Sequence, residues 1–316
     1  MSLRNLSPPL VTLAGVATMA GLPAIDAILS TTTSLAALKF INTAAFALNV
    51  GAVSVPGRLD GQQDDEMRKG EINPSKPNAN ETASGVYGRN RCRTLVDPSG
   101  WAFAIWGPIY LGETAFIATQ LLSSHADAVI PGMTAPFVAA NLMQSLWCAS
   151  FRPSYLGGGM KKYISAGMLA GTAYSLSLVL EAGNAAAAAN PAFHAWMLTP
   201  FVIHFGWVSA ATLVNLNGSV ACDSTSSPRA LTALGHSSAL AATALGVGVT
   251  VAMSAPVYGM TLAWALAACA DGMKKRKAAH NEHDEKILGA AAKVQRNLCL
   301  AGSFACGITA LYTALL

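Results

Sequence analysis

The sequence predicts an all-α fold, a polytopic bundle of transmembrane helices, on three observations. Charged residues fill only 11% of the 316 positions and hydrophobic ones 53%, against roughly 25% charge in a soluble domain. Apolar runs long enough to cross roughly 30 Å of hydrocarbon recur along most of the chain. Lysine and arginine gather in alternate connections between those runs, which is the pattern of a chain crossing a bilayer repeatedly. The net charge of +4 is small, and its bases lie between apolar runs rather than on a nucleic-acid-binding module, so nucleic acid is excluded as a partner and membrane lipid is expected. Cys92, Cys148, Cys222, Cys269, Cys299 and Cys306 make neither a CxxC pair nor a zinc-ligand spacing, and no metal site is expected.

Residues 1–30 hold an apolar run from Leu10 to Leu22, bounded by Pro8, Pro9 and Pro23, that is too short to span; an interfacial helix and a targeting remnant both fit it. The first span runs from about Thr31 to Val53, with Lys39 turned toward other helices. Residues 54–97 are polar, with seven bases and seven acids, and read as a linker or a loop held by a partner. The second span, 101–122, opens on Asp97-Pro98-Ser99-Gly100-Trp101. Asp97 and Ser99 suit a helix N-cap and Pro98 its first turn. Trp101 belongs at the water boundary; Phe103, Trp106 and Tyr110 form a stripe, and Pro108 is expected to bend the helix in mid-span.

The third span, 135–150, puts Asn141, Ser145 and Cys148 on one face with Gln144 beside them and Trp147 elsewhere. In the fourth, 163–180, Gly167 and Gly171 allow close helix contact, and residues 183–190 read as a connection. Along the fifth, Pro200, His204, Trp207, Ala211 and Asn215 recur at three- and four-residue steps, one column that suits a helix seam or a cavity wall. The sixth, seventh and eighth spans cover about 230–253, 257–270 and 287–315. Eight spans place every basic connection on one side, the inner side, and both termini on the other.

The second and fifth spans together resemble the translocator protein family, the tryptophan-rich sensory or peripheral benzodiazepine receptor-like proteins. Pro98, Gly100, Trp101, Phe103, Trp106 and Tyr110 match the motif that opens that family's second helix. Pro200, Trp207, Ala211, Thr212 and Asn215 match the motif along its fifth, and Asn141 and Trp147 look like its third-helix Asn and Trp. The form Ala102-Phe103-Ala104-Ile105-Trp106-Gly107-Pro108-Ile109-Tyr110 is nearest to longer members with added helices. The resemblance implies a five-helix core, 31–218, followed by a three-helix extension, 219–316. It implies a pocket for flat apolar ligands such as tetrapyrroles and sterols. The ligand-binding residues are then Trp101, Phe103, Trp106, Tyr110, Asn141, Trp147, His204, Trp207, Ala211, Thr212 and Asn215, with His204 a candidate axial ligand or propionate partner. Two departures stand out: a hydrophilic 54–97 replaces the family's aromatic segment, and no Tyr and base follow Asn215.

These readings give a multipass protein of an organelle membrane, plastid or mitochondrial, that binds porphyrin or haem, chlorophyll, carotenoid or lipid in a sensory or carrier role. The alternative is an accessory subunit of a photosystem or respiratory complex, meeting other subunits through 54–97 and 219–316. Catalysis is not expected, since the spans lack HExxH, GxSxG, a phosphate loop and paired carboxylates, and His280-Asn281-Glu282-His283 reads as a solvated helix end. The spans also read as lacking the paired ionisable residues of ion-coupled transporters.

Overall fold

The computed structural model describes residues 6–55, 58–59, 91–155, 159–186, 191–223, 225–276, 278–279 and 281–316. Among them are nine α-helices: α1 (Pro8–Thr32), α2 (Leu35–Val53), α3 (Trp106–Leu122), α4 (Ile130–Ser150), α5 (Ile164–Ala186), α6 (Pro191–Ala221), α7 (Pro228–Ala252), α8 (Pro256–Lys274) and α9 (Glu282–Leu315). Six of them, α1, α2, α5, α6, α7 and α9, are long and apolar enough to cross a membrane. The expectation for residues 60–90, a linker or a partner-held loop, lies outside the described residues.

Two helices organise the packing. The α4 helix is buried along most of its length because α1, α2 and α5 cover it. The α6 helix is shared: it packs on α3 and α5 on one side and on α7 and α8 on the other, while α7, α8 and α9 pack on one another. Gly171 lets Met143 of α4 come within 2.3 Å of where a Cβ would sit, whereas Gly167 faces open space. Only half of the expected small-residue pair therefore serves helix contact.

The N-terminal segment departs from expectation. Pro23 lies inside α1, which runs on to Thr32 as one 25-residue helix. In water such a proline costs about 3 kcal/mol; helices of membrane type tolerate it, and α1 reaches spanning length. The start of α1 sits at the end of the bundle where the basic connections lie, since Tyr155 donates its hydroxyl to the Leu6 carbonyl at 2.8 Å. The start of α1 and the end of α9 are thus at opposite ends of the bundle, not on one face as eight spans required.

That basic end is knitted together. Arg93 donates to the carbonyls of Ala221, Asp223 and Ser226 past the end of α6 and to the Asp284 carboxylate on α9, so one guanidinium satisfies carbonyls a helix C-terminus leaves free. Lys162 pairs with Asp223, and that contact, with the Thr225 hydroxyl and N–H, holds the Asp223 carboxyl well below the usual carboxylate range. Lys39 and Asp127 pair at 2.6 Å, between the N-terminal half of α2 and the turn that precedes α4.

Two further boundaries move. The run 183–190 is not a connection throughout: α5 continues to Ala186, and α6 begins at Pro191 with Pro200 in its interior. The second span starts as a 3₁₀ helix, Gly100–Ile105, and turns α-helical at Trp106. Pro108 is then the third residue of α3, where an N–H is dispensable, rather than a mid-span kink. Ser99 begins the 3₁₀ turn with no side-chain cap bond.

Candidate functional site

The segment before the aromatic motif is strapped to α8. The Ser99 N–H donates to the Ala268 carbonyl at 3.0 Å. Trp101 donates its indole N–H to Asp271 at 3.0 Å and meets Trp264 edge-on at 4.7 Å, while the Trp264 indole donates to the Ala102 carbonyl at 3.1 Å. Gly272 makes the approach possible, because a Cβ there would lie 1.8 Å from the Asp97 carbonyl oxygen. Trp101, 42% exposed, is therefore a docking side chain between the second span and the C-terminal helices, and it does not line the cavity formed beyond it.

Beyond the strap, the two aromatic motifs converge. Phe103 and Trp106 both meet Trp207 of α6 edge-on, at 5.6 and 6.3 Å, and Trp106 stacks on Tyr110 at 5.6 Å. On α4, Trp147 stacks on Phe151 at 5.5 Å and donates its indole N–H to Asn215 at 3.2 Å. Asn215 keeps this acceptor aimed because its own amide donates to Ala211 one turn back. Phe103, Trp106, Trp147, Trp207, Ala211 and Asn215 line one cavity of about 80 Å³. Val96, Asp97 and Pro98 of the strap and Leu169 of α5 also line it.

The far wall comes from the C-terminal helices: Ser238, Ala239 and Ala242 of α7, Ala265, Leu266 and Cys269 of α8, and Gln295 and Cys299 of α9. Sequence reasoning missed all of these. Small residues and thiols on apolar helices carry no signal of their own, and the pocket was expected within the five-helix core. The polar side chains of this wall are already engaged: Ser238 accepts from Asn217 at 2.8 Å, and Gln295 bonds His236 at 2.7 Å and the Gly235 carbonyl at 3.0 Å. The cavity accordingly offers apolar and aromatic surface.

Five of the expected site residues lie elsewhere. Besides Trp101, Tyr110 belongs to a buried polar cluster, donating to Asn49 at 3.2 Å and accepting from Gln144 at 2.9 Å. Asn141 donates to Phe137 within its own helix, while its carbonyl accepts from Asn49. Thr212 returns its hydroxyl to Val208. His204 does not border the cavity; its Nδ1 lies 2.6 Å from Glu113, both side chains being almost fully buried. This pair corrects the expectation that the spans lack paired ionisable residues. The signal was present: Glu113 is a lone carboxylate inside an apolar run, which in a membrane marks a partner or a function.

The donor set fits stacking of an apolar ring or chain. It does not fit haem ligation by His204, whose ring lies off the cavity, and among the described residues no base lines the walls to hold propionates. Asn281 caps α9 by accepting from the His283 N–H at 2.9 Å. No group of three or more metal-ligating side chains occurs among the described residues, and His280 lies outside them.

No curated protein and no solved structure matches the chain. The sequence model of one family, described as TSPO-like protein, matches residues 76–294, which takes in α3 through α8 and the start of α9 together with both aromatic motifs. With more than half its length matched, and with the two motifs brought onto one cavity, this chain belongs to the TSPO-like protein family.

Proposed function

We propose that this membrane protein binds an apolar ligand in the cavity between α6 and the C-terminal helices, in a sensory or carrier role. The observation that supports it best is the meeting of Phe103 and Trp106 with Trp207, about a hundred residues apart in sequence, beside the Trp147–Asn215 contact on one apolar wall. Aromatic faces with few free polar groups favour flat or slender apolar molecules over charged ones. A ring system the size of a tetrapyrrole needs more room than 80 Å³, since sites for drug-sized ligands start at about 300 Å³. Binding one therefore requires the wall to open, and Phe103, at 38%, is the most exposed aromatic side chain on it.

The test is tryptophan quenching of the purified protein by protoporphyrin dimethyl ester, a probe with neither iron nor free carboxylates. Ala211→Leu adds bulk into the cavity without deleting a packed side chain. We expect it to weaken affinity on the order of tenfold while thermal unfolding stays near that of the wild type. Equal affinity in a folded Ala211→Leu protein would remove the cavity from the account.

A further inference from the structure

We propose that α9 carries a site for the phosphate of an anionic phospholipid, made by Lys293 and Arg296. The helix has 34 residues and is therefore about 51 Å long, against roughly 30 Å of hydrocarbon. Part of it must stand outside the apolar layer, and the sequence says which part. Within α9 no charged residue follows Arg296, and the stretch from 297 to the helix end at Leu315 rises about 28 Å, close to the hydrocarbon thickness.

The neighbouring helix marks the same level. Gln295 donates to the Gly235 carbonyl of α7, and farther along Cys306 of α9 faces Gly246, so the two helices run parallel. From Gly235 to its end α7 has no Lys, Arg, Asp or Glu. Lys293 and Arg296 thus sit where headgroups begin.

Their surroundings select the ligand. Gln295, Cys299, Gly302 and Cys306 turn inward, and at about 100° per residue the opposite stripe carries Lys293, Leu300, Phe304 and Leu311, with Arg296 on its flank one turn from Lys293 and from Leu300, all exposed. The stripe changes from cationic to apolar within one turn, which complements a phosphate joined to acyl chains. Arg93, Lys162, Lys275 and Arg276 at this end each hold a carboxylate. Lys293 and Arg296 form no ion pair or hydrogen bond among the described residues, and no acid lies within four positions of either. Free phosphate would use the two bases but not the apolar stripe, so the lipid is the occupant the surface fits.

The experiment uses the full chain in phosphatidylcholine nanodiscs, comparing protein-bound spin-labelled phosphatidylglycerol with spin-labelled phosphatidylcholine by electron paramagnetic resonance. Wild type is expected to prefer the anionic lipid, by roughly fivefold for each base. Lys293→Gln/Arg296→Gln should lose that preference, and the charge-keeping Lys293→Arg/Arg296→Lys should retain it, which separates the site from any folding defect. Phe304→Ala should weaken the lipid, and inorganic phosphate should not displace it. An unchanged preference in the glutamine variant would overturn the proposal. Displacement of the lipid by inorganic phosphate, with no effect of Phe304→Ala, would overturn the lipid as occupant.

Discussion

Glu113 and His204 are held 2.6 Å apart by two helices and lie far from bulk water, so each exists as it does only because the other is there. Removing one partner of such a pair leaves a buried hydrogen-bonding group without a partner, at a cost of about 1–3 kcal/mol, whereas replacing both with apolar side chains is close to neutral. Glu113→Ala should therefore lower thermal stability in detergent sharply, and Glu113→Leu/His204→Leu should restore most of it. Equal stability of the single and double variants would show that the pair does not act as a unit. The same residues show what the sequence could carry. The column Pro200, His204, Trp207, Ala211 and Asn215 was readable as one face, and the structure divides it: His204 meets α3, while Trp207, Ala211 and Asn215 face the cavity. Periodicity assigns a residue to a face, but the partner helix is fixed by contacts ninety residues away.

At the scale of elements, the strap from Arg93 to Trp101 ties the second span to the C-terminal helices, and its fit depends on Gly272. Gly272→Ala drives a methyl group into the Asp97 carbonyl, a collision expected to cost about 1–3 kcal/mol. The variant should shift the fluorescence of Trp101 and Trp264, and an unaltered spectrum with unaltered stability would contradict the docking. Asp223 gives the basic end a pH dependence of definite sign. Its folded pKa is depressed by the Lys162 and Thr225 hydrogen bonds, so its stabilisation is present above the unfolded value of about 3.9 and is lost as pH falls through the folded one. Wild type should lose stability on acidification below about pH 4 more steeply than Asp223→Asn. Elements were legible where apolar runs were unbroken: α7 matches its expected limits within two residues. They failed at prolines. Pro23 was read as a stop and Pro108 as a kink, because a rule calibrated on water-exposed helices does not count the packed neighbours of the first or the 3₁₀ turn before the second.

For the whole molecule, the all-α bundle and the family were legible because burial in lipid and two spaced aromatic motifs both leave strong marks on composition. What composition could not carry is how the later helices sit against the earlier ones. The expected division into a five-helix core and an extension places the cavity at their junction: α6 is a wall common to both, and Ala242, Leu266 and Cys299 complete what Trp106 and Trp207 begin. Ligand binding at this shared site is the central claim, and it separates from a pocket within the core alone by one change on α7. The decisive measurement is protoporphyrin dimethyl ester affinity of Ala242→Leu, by tryptophan quenching beside a thermal unfolding curve. Affinity lowered on the order of tenfold in a folded protein is the predicted result. Wild-type affinity in that variant would contradict the claim and return the C-terminal helices to a purely structural part.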